Sequence, residues 1–185
     1  MPVVSFLQGT LLFPVVGLPK DTLHREMATL SAPYDWVVID GPPRVHTVAK
    51  SAIAASDIVI IPVQPSPYDI WAAREVVDII ADVRIIKQGL KAVFTINRKI
   101  ANTAISRDVT AALADYPDIP VLKASLTQRV AFAESATAGQ SVLETEPQGQ
   151  ASHEIRALMA EIMELTNEQN GHYQNQPQKQ AAAVG

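Results

Sequence analysis

The chain has 185 residues, 48% of them hydrophobic, no cysteine and a net charge of −4. That is enough apolar material for one domain with its own core, and it excludes disulfides and cysteine-ligated metals while being compatible with the cytosol. No uninterrupted apolar run approaches the ~20 residues of a membrane-spanning helix, and Met1–Leu7 lacks the basic and apolar segments of a secretory leader.

Val3–Leu7 reads as a short buried strand, and Leu11–Val16 as an extended or edge segment because Pro14 interrupts it. Asp21 or Thr22 can cap a helix to about Leu30, with Leu23, Met27 and Leu30 on one face. Trp36–Ile39 is the next expected strand, followed by a helix over 45–55 and a strand over Ile58–Pro62. A long helix is expected from Tyr68 or Asp69 to about Lys87, with Ser66 or Asp69 as its cap. Then come a strand over Lys91–Asn97, a helix over 103–114, a short strand over Ile119–Leu122, and helices over 127–138 and about 152–168.

Apolar strands alternating with helices predict an α/β domain with a mostly parallel sheet covered on both faces, three layers in all. It spans residues 1–168. From Asn167 the composition turns Gln/Asn-rich and offers no apolar face, which predicts a disordered tail over 169–185. Charge is divided unevenly along the chain. Residues 1–83 hold 5 Lys/Arg against 9 Asp/Glu, residues 84–129 hold 8 against 3, and residues 130–185 hold 2 against 7. A basic middle segment fits a surface facing a polyanion, and it fits equally well a set of ordinary solvated cations.

Three clusters carry chemistry. Asp40 closes an apolar strand, the place where ligands sit in a parallel sheet. A carboxylate there orients a magnesium-bound water, and Gly41 lets backbone approach a phosphate; the plainer alternative is a turn cap before helix 45–55. Pro62, Pro65 and Pro67 stiffen the loop that carries Gln64 at the next strand exit. Such a loop can wall a purine pocket, form part of a subunit interface, or simply turn the chain into a helix. Asn97 at a third strand end can offer both a donor and an acceptor to an adenine edge, or it can form a turn.

In this order, the runs Asp35-Trp-Val-Val-Ile-Asp-Gly-Pro-Pro43, Ala55-Ser-Asp-Ile-Val-Ile-Ile-Pro-Val-Gln-Pro-Ser-Pro-Tyr-Asp69, Ile96-Asn-Arg-Lys99 and Leu126-Thr-Gln-Arg-Val-Ala-Phe-Ala-Glu-Ser135 resemble one family. The chain resembles the ParA-type partition ATPases, the deviant-Walker group that includes MinD, from Phe13 to about Leu165. The resemblance implies a P-loop NTPase-type fold, ATP and Mg²⁺ as cofactors, and dimerisation on non-specific DNA with a ParB-like centromere-binding partner. Asp40 would be the catalytic Walker B carboxylate and magnesium ligand. Gly41, Pro62, Gln64, Pro65, Asn97 and Arg98 would lie on the nucleotide side. Arg98, Lys99, Arg107, Lys123 and Arg129 would serve DNA binding, in the cytoplasm and on the nucleoid.

One element of that pattern has no counterpart in the sequence. No G-x-x-x-x-G-K-[ST] loop occurs in the 185 residues, and Leu7 is followed by Gln8-Gly9-Thr10. Residues 1–12 read as a remnant first strand joined across an internal deletion of roughly 30 residues, one βαβ-sized unit. Lys50-Ser51 imitates a Walker pair but lies within a helix pattern and has no glycines beside it. The phosphate loop supplies N–H groups, a lysine and a magnesium-binding hydroxyl that Asp40 cannot replace. The expectation is a family member in which ATP binding is weak or absent and hydrolysis is lost. A nucleotide-independent DNA- or partner-binding protein, pairing with itself or with an intact relative, is the alternative. A MinD-like membrane cycle is disfavoured, because the C-terminal segment is not an amphipathic basic helix.

Overall fold

The structure, a computed structural model, describes residues 13–18, 20–41, 47–101 and 103–174. In chain order the elements are α1 (Leu23–Ser31), α2 (Thr47–Ala55), β1 (Ile58–Val63), α3 (Pro67–Ile86), β2 (Lys91–Lys99), α4 (Ala104–Leu113), β3 (Val121–Thr127), α5 (Val130–Thr137), α6 (Val142–Thr145) and α7 (Gln150–Gln174). The three strands form one parallel sheet in the order β1-β2-β3.

β2 runs Ala-Val-Phe-Thr-Ile without a polar break wider than one residue, as a strand covered on both faces must. Ala92, Phe94 and Ile96 share a face with their register partners Val59, Ile61 and Val63. That face packs on Ile53 of α2, Ala73, Ile80 and Val83 of α3, and Val109 and Leu113 of α4. Val93 and Thr95 point the other way and are equally buried. Removing the water around a side chain such as Phe94 stabilises the fold by about 1.5–3 kcal/mol. The Thr95 hydroxyl is an exception within this core, because it is buried and has no partner among the described residues.

The phase of the β1–β2 ladder follows from one bond. The Lys91 N–H donates to the Asp57 carbonyl at 3.1 Å, so Val59, Ile61 and Val63 turn their backbone groups toward β2, and Ile58, Ile60 and Pro62 turn theirs away. Proline, which has no N–H, therefore falls on the side where no ladder bond is lost. α3 begins as its sequence dictates: the Ser66 hydroxyl accepts the Tyr68 N–H at 3.3 Å and Pro67 occupies the first turn. Asp69 instead accepts the Gln64 N–H at 2.9 Å, tying the proline loop to the helix.

α7 lies along the outer edge of β3. Glu161 accepts the backbone N–H groups of Lys123 at 2.9 Å and Ala124 at 2.7 Å, and Glu154 accepts that of Thr127 at 2.9 Å. Seven helical residues rise ~10.5 Å, close to the ~10 Å spanned by three strand residues. The two carboxylates therefore reach donors near both ends of the edge.

Several expectations are corrected. Trp36–Ile39 forms no strand; residues 36–41 carry no regular secondary structure and have no ladder partner among the described residues, and Trp36 and Val38 are 53% and 92% exposed. Apolar β-branched residues favour a strand only where a neighbour accepts their backbone groups. β3 starts two residues later than expected and continues to Thr127. Lys123, Ser125 and Thr127 break the apolar run, and α7 supplies side-chain carboxylate acceptors for the backbone N–H groups along the edge. α5 accordingly starts at Val130 rather than 127. The four-residue α6, closed by a Ser141–Glu144 capping box, was not expected. α7 runs on to Gln174, past the point where composition marks a tail. Residues 175–185 lie outside the described residues, as do the expected strand Val3–Leu7 and the proposed junction at 8–12. Residues 13–18 belong to no strand or helix.

Candidate functional site

The carboxyl ends of parallel strands form the ligand-facing rim of an α/β sheet. Val63 and Ile96 are register partners, so Gln64, the first residue after β1, lies beside Asn97, which is still within β2. Pro62 and Gln64 are exposed, while Pro65 and Asn97 are half-buried. The Asn97 side-chain oxygen accepts the N–H of Arg98 at 2.9 Å, which leaves its amide nitrogen available. Arg98 has φ 50°, the one left-handed non-glycine residue among those described. A non-glycine residue held there stores of order 1 kcal/mol of strain, and such residues cluster at functional sites. The structure thus brings Pro62, Gln64, Pro65, Asn97 and Arg98 to one rim.

Asp40 and Gly41 are exposed and follow the unpaired 36–39 segment, with no hydrogen bond to that rim among the described residues. A Cβ added at Gly41 would meet nothing within 4 Å, so no close backbone approach is built there. Nor do the described residues gather three His, Asp or Glu side chains as a metal cluster. Among the described residues Asp40 stands alone, with no phosphate cradle beside it. Lys50 is in α2, paired with Asp82 at 2.9 Å, and Ser51 is buried against His24 with its oxygen 2.9 Å from the ring nitrogen Nδ1. The pair is helix packing, as its sequence context implies.

Beside the rim, β2 and α4 enclose an open groove of ≈ 560 Å³ lined by Lys99, Thr103, Ser106, Arg107, Thr110 and Ala111. Lys99 and Arg107 have no ion-pair partner among the described residues. Thr103 and Ser106 hydroxyls lie 2.9 Å apart, and both reach the Ile100 carbonyl at 3.0 Å, which fixes the loop into α4. Two cations among hydroxyls suit a phosphate or another oxyanion. The hydroxyl residues are absent from the sequence-derived site, although the spacing 103, 106, 107, 110 marks one helix face.

Arg129 differs from the other candidate cations. Its Nη2 donates to Glu154 Oε1 at 2.7 Å and its Nε to the same oxygen at 3.3 Å. Oε1 also accepts the Thr127 hydroxyl at 2.8 Å, and Oε2 the Thr127 N–H at 2.9 Å. Burial pushes the Glu154 carboxyl up, but donors from Arg129 and Thr127 outweigh it and hold the group below its ordinary value. The hydrogen bond to Glu154 raises the Arg129 guanidinium. Arg129 nonetheless stays near the groove, because the preceding Gln128 donates its N–H to the Lys99 carbonyl at 3.0 Å. Lys123 is exposed and lies four residues before Thr127, about 13 Å down the strand.

Comparison with known proteins bears on the family likeness and the fold. The AAA domain family AAA_31 matches residues 11–96. The maintenance of carboxysome distribution protein A of Halothiobacillus neapolitanus is 28% identical over 132 residues, 70% of this chain and 61% of that protein. The chromosome-partitioning ATPase Soj of Thermus thermophilus is 25% identical over 140 residues, 73% of this chain and 55% of that protein. These likenesses support a resemblance to the ParA-type ATPases. It spans little more than half the length of these curated relatives. The septum site-determining protein MinD of Pyrococcus horikoshii, complexed with Mg-ADP, superposes with a TM-score of 0.64 at 21% identity, covering 79% of this chain and 57% of that one. That likeness shows the α/β fold of P-loop NTPase type. No helix among the described residues is long and apolar enough to cross a membrane.

Proposed function

We propose that this chain is a ParA-family partition or positioning protein that associates with DNA while binding ATP weakly or not at all and hydrolysing none. The observation that carries this reading is the contrast between two places on the molecule. The groove of Lys99 and Arg107 has two cations without an ion-pair partner among the described residues, suited to phosphates. Asp40, the carboxylate on which nucleotide hydrolysis would depend, stands exposed and without companion ligands among the described residues.

The chain spans little over half of relatives whose names include a partitioning ATPase and a carboxysome distribution protein, so the cargo, a ParB-like partner and dimerisation belong to the proposal. So do the internal deletion at residues 8–12 and location on the nucleoid. Lys99 and Arg107 form the principal DNA contact, with Arg98 beside them on the rim. Duplex DNA retention should fall as salt rises, and Lys99→Glu with Arg107→Glu should abolish it. Salt-insensitive retention, or retention unchanged in the double variant, would count against the reading. The second reading is a nucleotide-independent partner of an intact relative. The exposed Tyr68 and Trp71, packed edge to face 5.5 Å apart at the start of α3, favour a protein contact there.

A further inference from the structure

The basic rim has one cation already occupied. Arg129 is one-third exposed, and its guanidinium is bound by Glu154, a carboxylate with only 18% of its side chain exposed. Glu154 is delivered by α7, the helix that closes the β3 edge. A carboxylate gripping an arginine through two N–H groups uses the same donors that a phosphodiester oxygen would use. Gln128, next to Arg129, is hydrogen-bonded to Lys99, so this occupied cation adjoins the free ones.

We propose that Glu154 is an internal competitor for DNA at Arg129, so that the position of α7 sets how many cations the rim offers to a phosphate backbone. With α7 seated, Lys99 and Arg107 carry the contact and Arg129 is withheld. When Glu154 is withdrawn or neutralised, Arg129 turns to the phosphates and adds one contact. The inference rests on the DNA-binding reading above, and it assigns Glu154 a regulatory role beyond its place in the fold.

The test titrates a short mixed-sequence duplex into the full chain over a range of salt. Glu154→Gln keeps an acceptor for Thr127 but removes the charge. It should bind several-fold more tightly at low salt, with a salt slope steeper by about one. Adding Arg129→Gln to that variant should return both values to those of the unmodified chain. Glu161→Gln makes the same change in net charge but meets only the backbone N–H groups of Lys123 and Ala124, so it should not steepen the slope. Should Glu154→Gln prove unfolded by circular dichroism, Glu154→Asp draws the carboxylate back by one methylene and should give a smaller gain of the same sign.

Equal gains from Glu154→Gln and Glu161→Gln, or gains that survive loss of Arg129, would overturn the competitor role. DNA binding lost in Lys99→Glu with Arg107→Glu, yet unchanged when Glu154 is altered, overturns it and leaves the DNA reading standing. Absence of binding in every variant sinks both.

Discussion

Glu154 receives donors from a backbone amide, a hydroxyl and a guanidinium, so its removal strands several partners at once. Hydrogen bonds to a charged group are worth about 1.5–3 kcal/mol, and Glu154→Ala should destabilise the chain by about that much at neutral pH. The pH dependence follows from the lowered carboxyl. A group whose folded pKa lies below its unfolded value gives its full stabilisation above the unfolded value and loses it as pH falls through the folded one. The stability gap between the unmodified chain and Glu154→Ala, measured by urea denaturation, should therefore close below about pH 4. A gap that persists undiminished at pH 3 would show that packing, not the ionised carboxylate, provides the stability. Thr95 makes the opposite case. Its buried hydroxyl has no partner among the described residues, so Thr95→Val should raise stability by about 1 kcal/mol, read as a higher denaturation midpoint.

At the scale of elements, α7 replaces a neighbouring strand for β3. Glu161→Ala should speed amide exchange at Lys123 and Ala124 by roughly tenfold or more, since a bond of about 1.5 kcal/mol or more is removed. Thr127, held by Glu154, should stay protected. Exchange unchanged at all three amides would show that helix cover alone protects the edge. The sequence made β1, α3 and β2 legible because their apolar runs and the Ser66-Pro67 start are local signals. It hid the full length of β3, because Lys123, Ser125 and Thr127 look like a loop until the carboxylates of α7, about 30 residues later, are placed beside them. The segment 36–39 misled for the complementary reason: its composition is that of a strand, but a strand depends on a neighbour. The rim residues Gln64 and Asn97 were found from expected strand ends and Arg98 from the resemblance, although β2 runs on to Lys99. The groove hydroxyls and the grip of Glu154 on Arg129 are long-range geometry that no short motif carries.

At the scale of the molecule, one parallel sheet with α2, α3 and α4 on one face supports a rim that holds Gln64, Asn97 and Arg98 together. Asp40 is not among them. Core integrity should matter more than any one rim residue for stability: Leu113→Ala, at a fully buried position, should cost about 2–5 kcal/mol, whereas Arg107→Glu on the exposed face should leave the thermal midpoint nearly unchanged. That pair of variants separates loss of fold from loss of DNA contact when retention is measured. The proposed function gives this ParA-like chain a DNA-facing rim without a working nucleotide site. Isothermal titration of the full chain with Mg-ATP tests it most directly. The account predicts no saturable heat at micromolar concentrations, and micromolar binding that is lost on Asp40→Ala would contradict it.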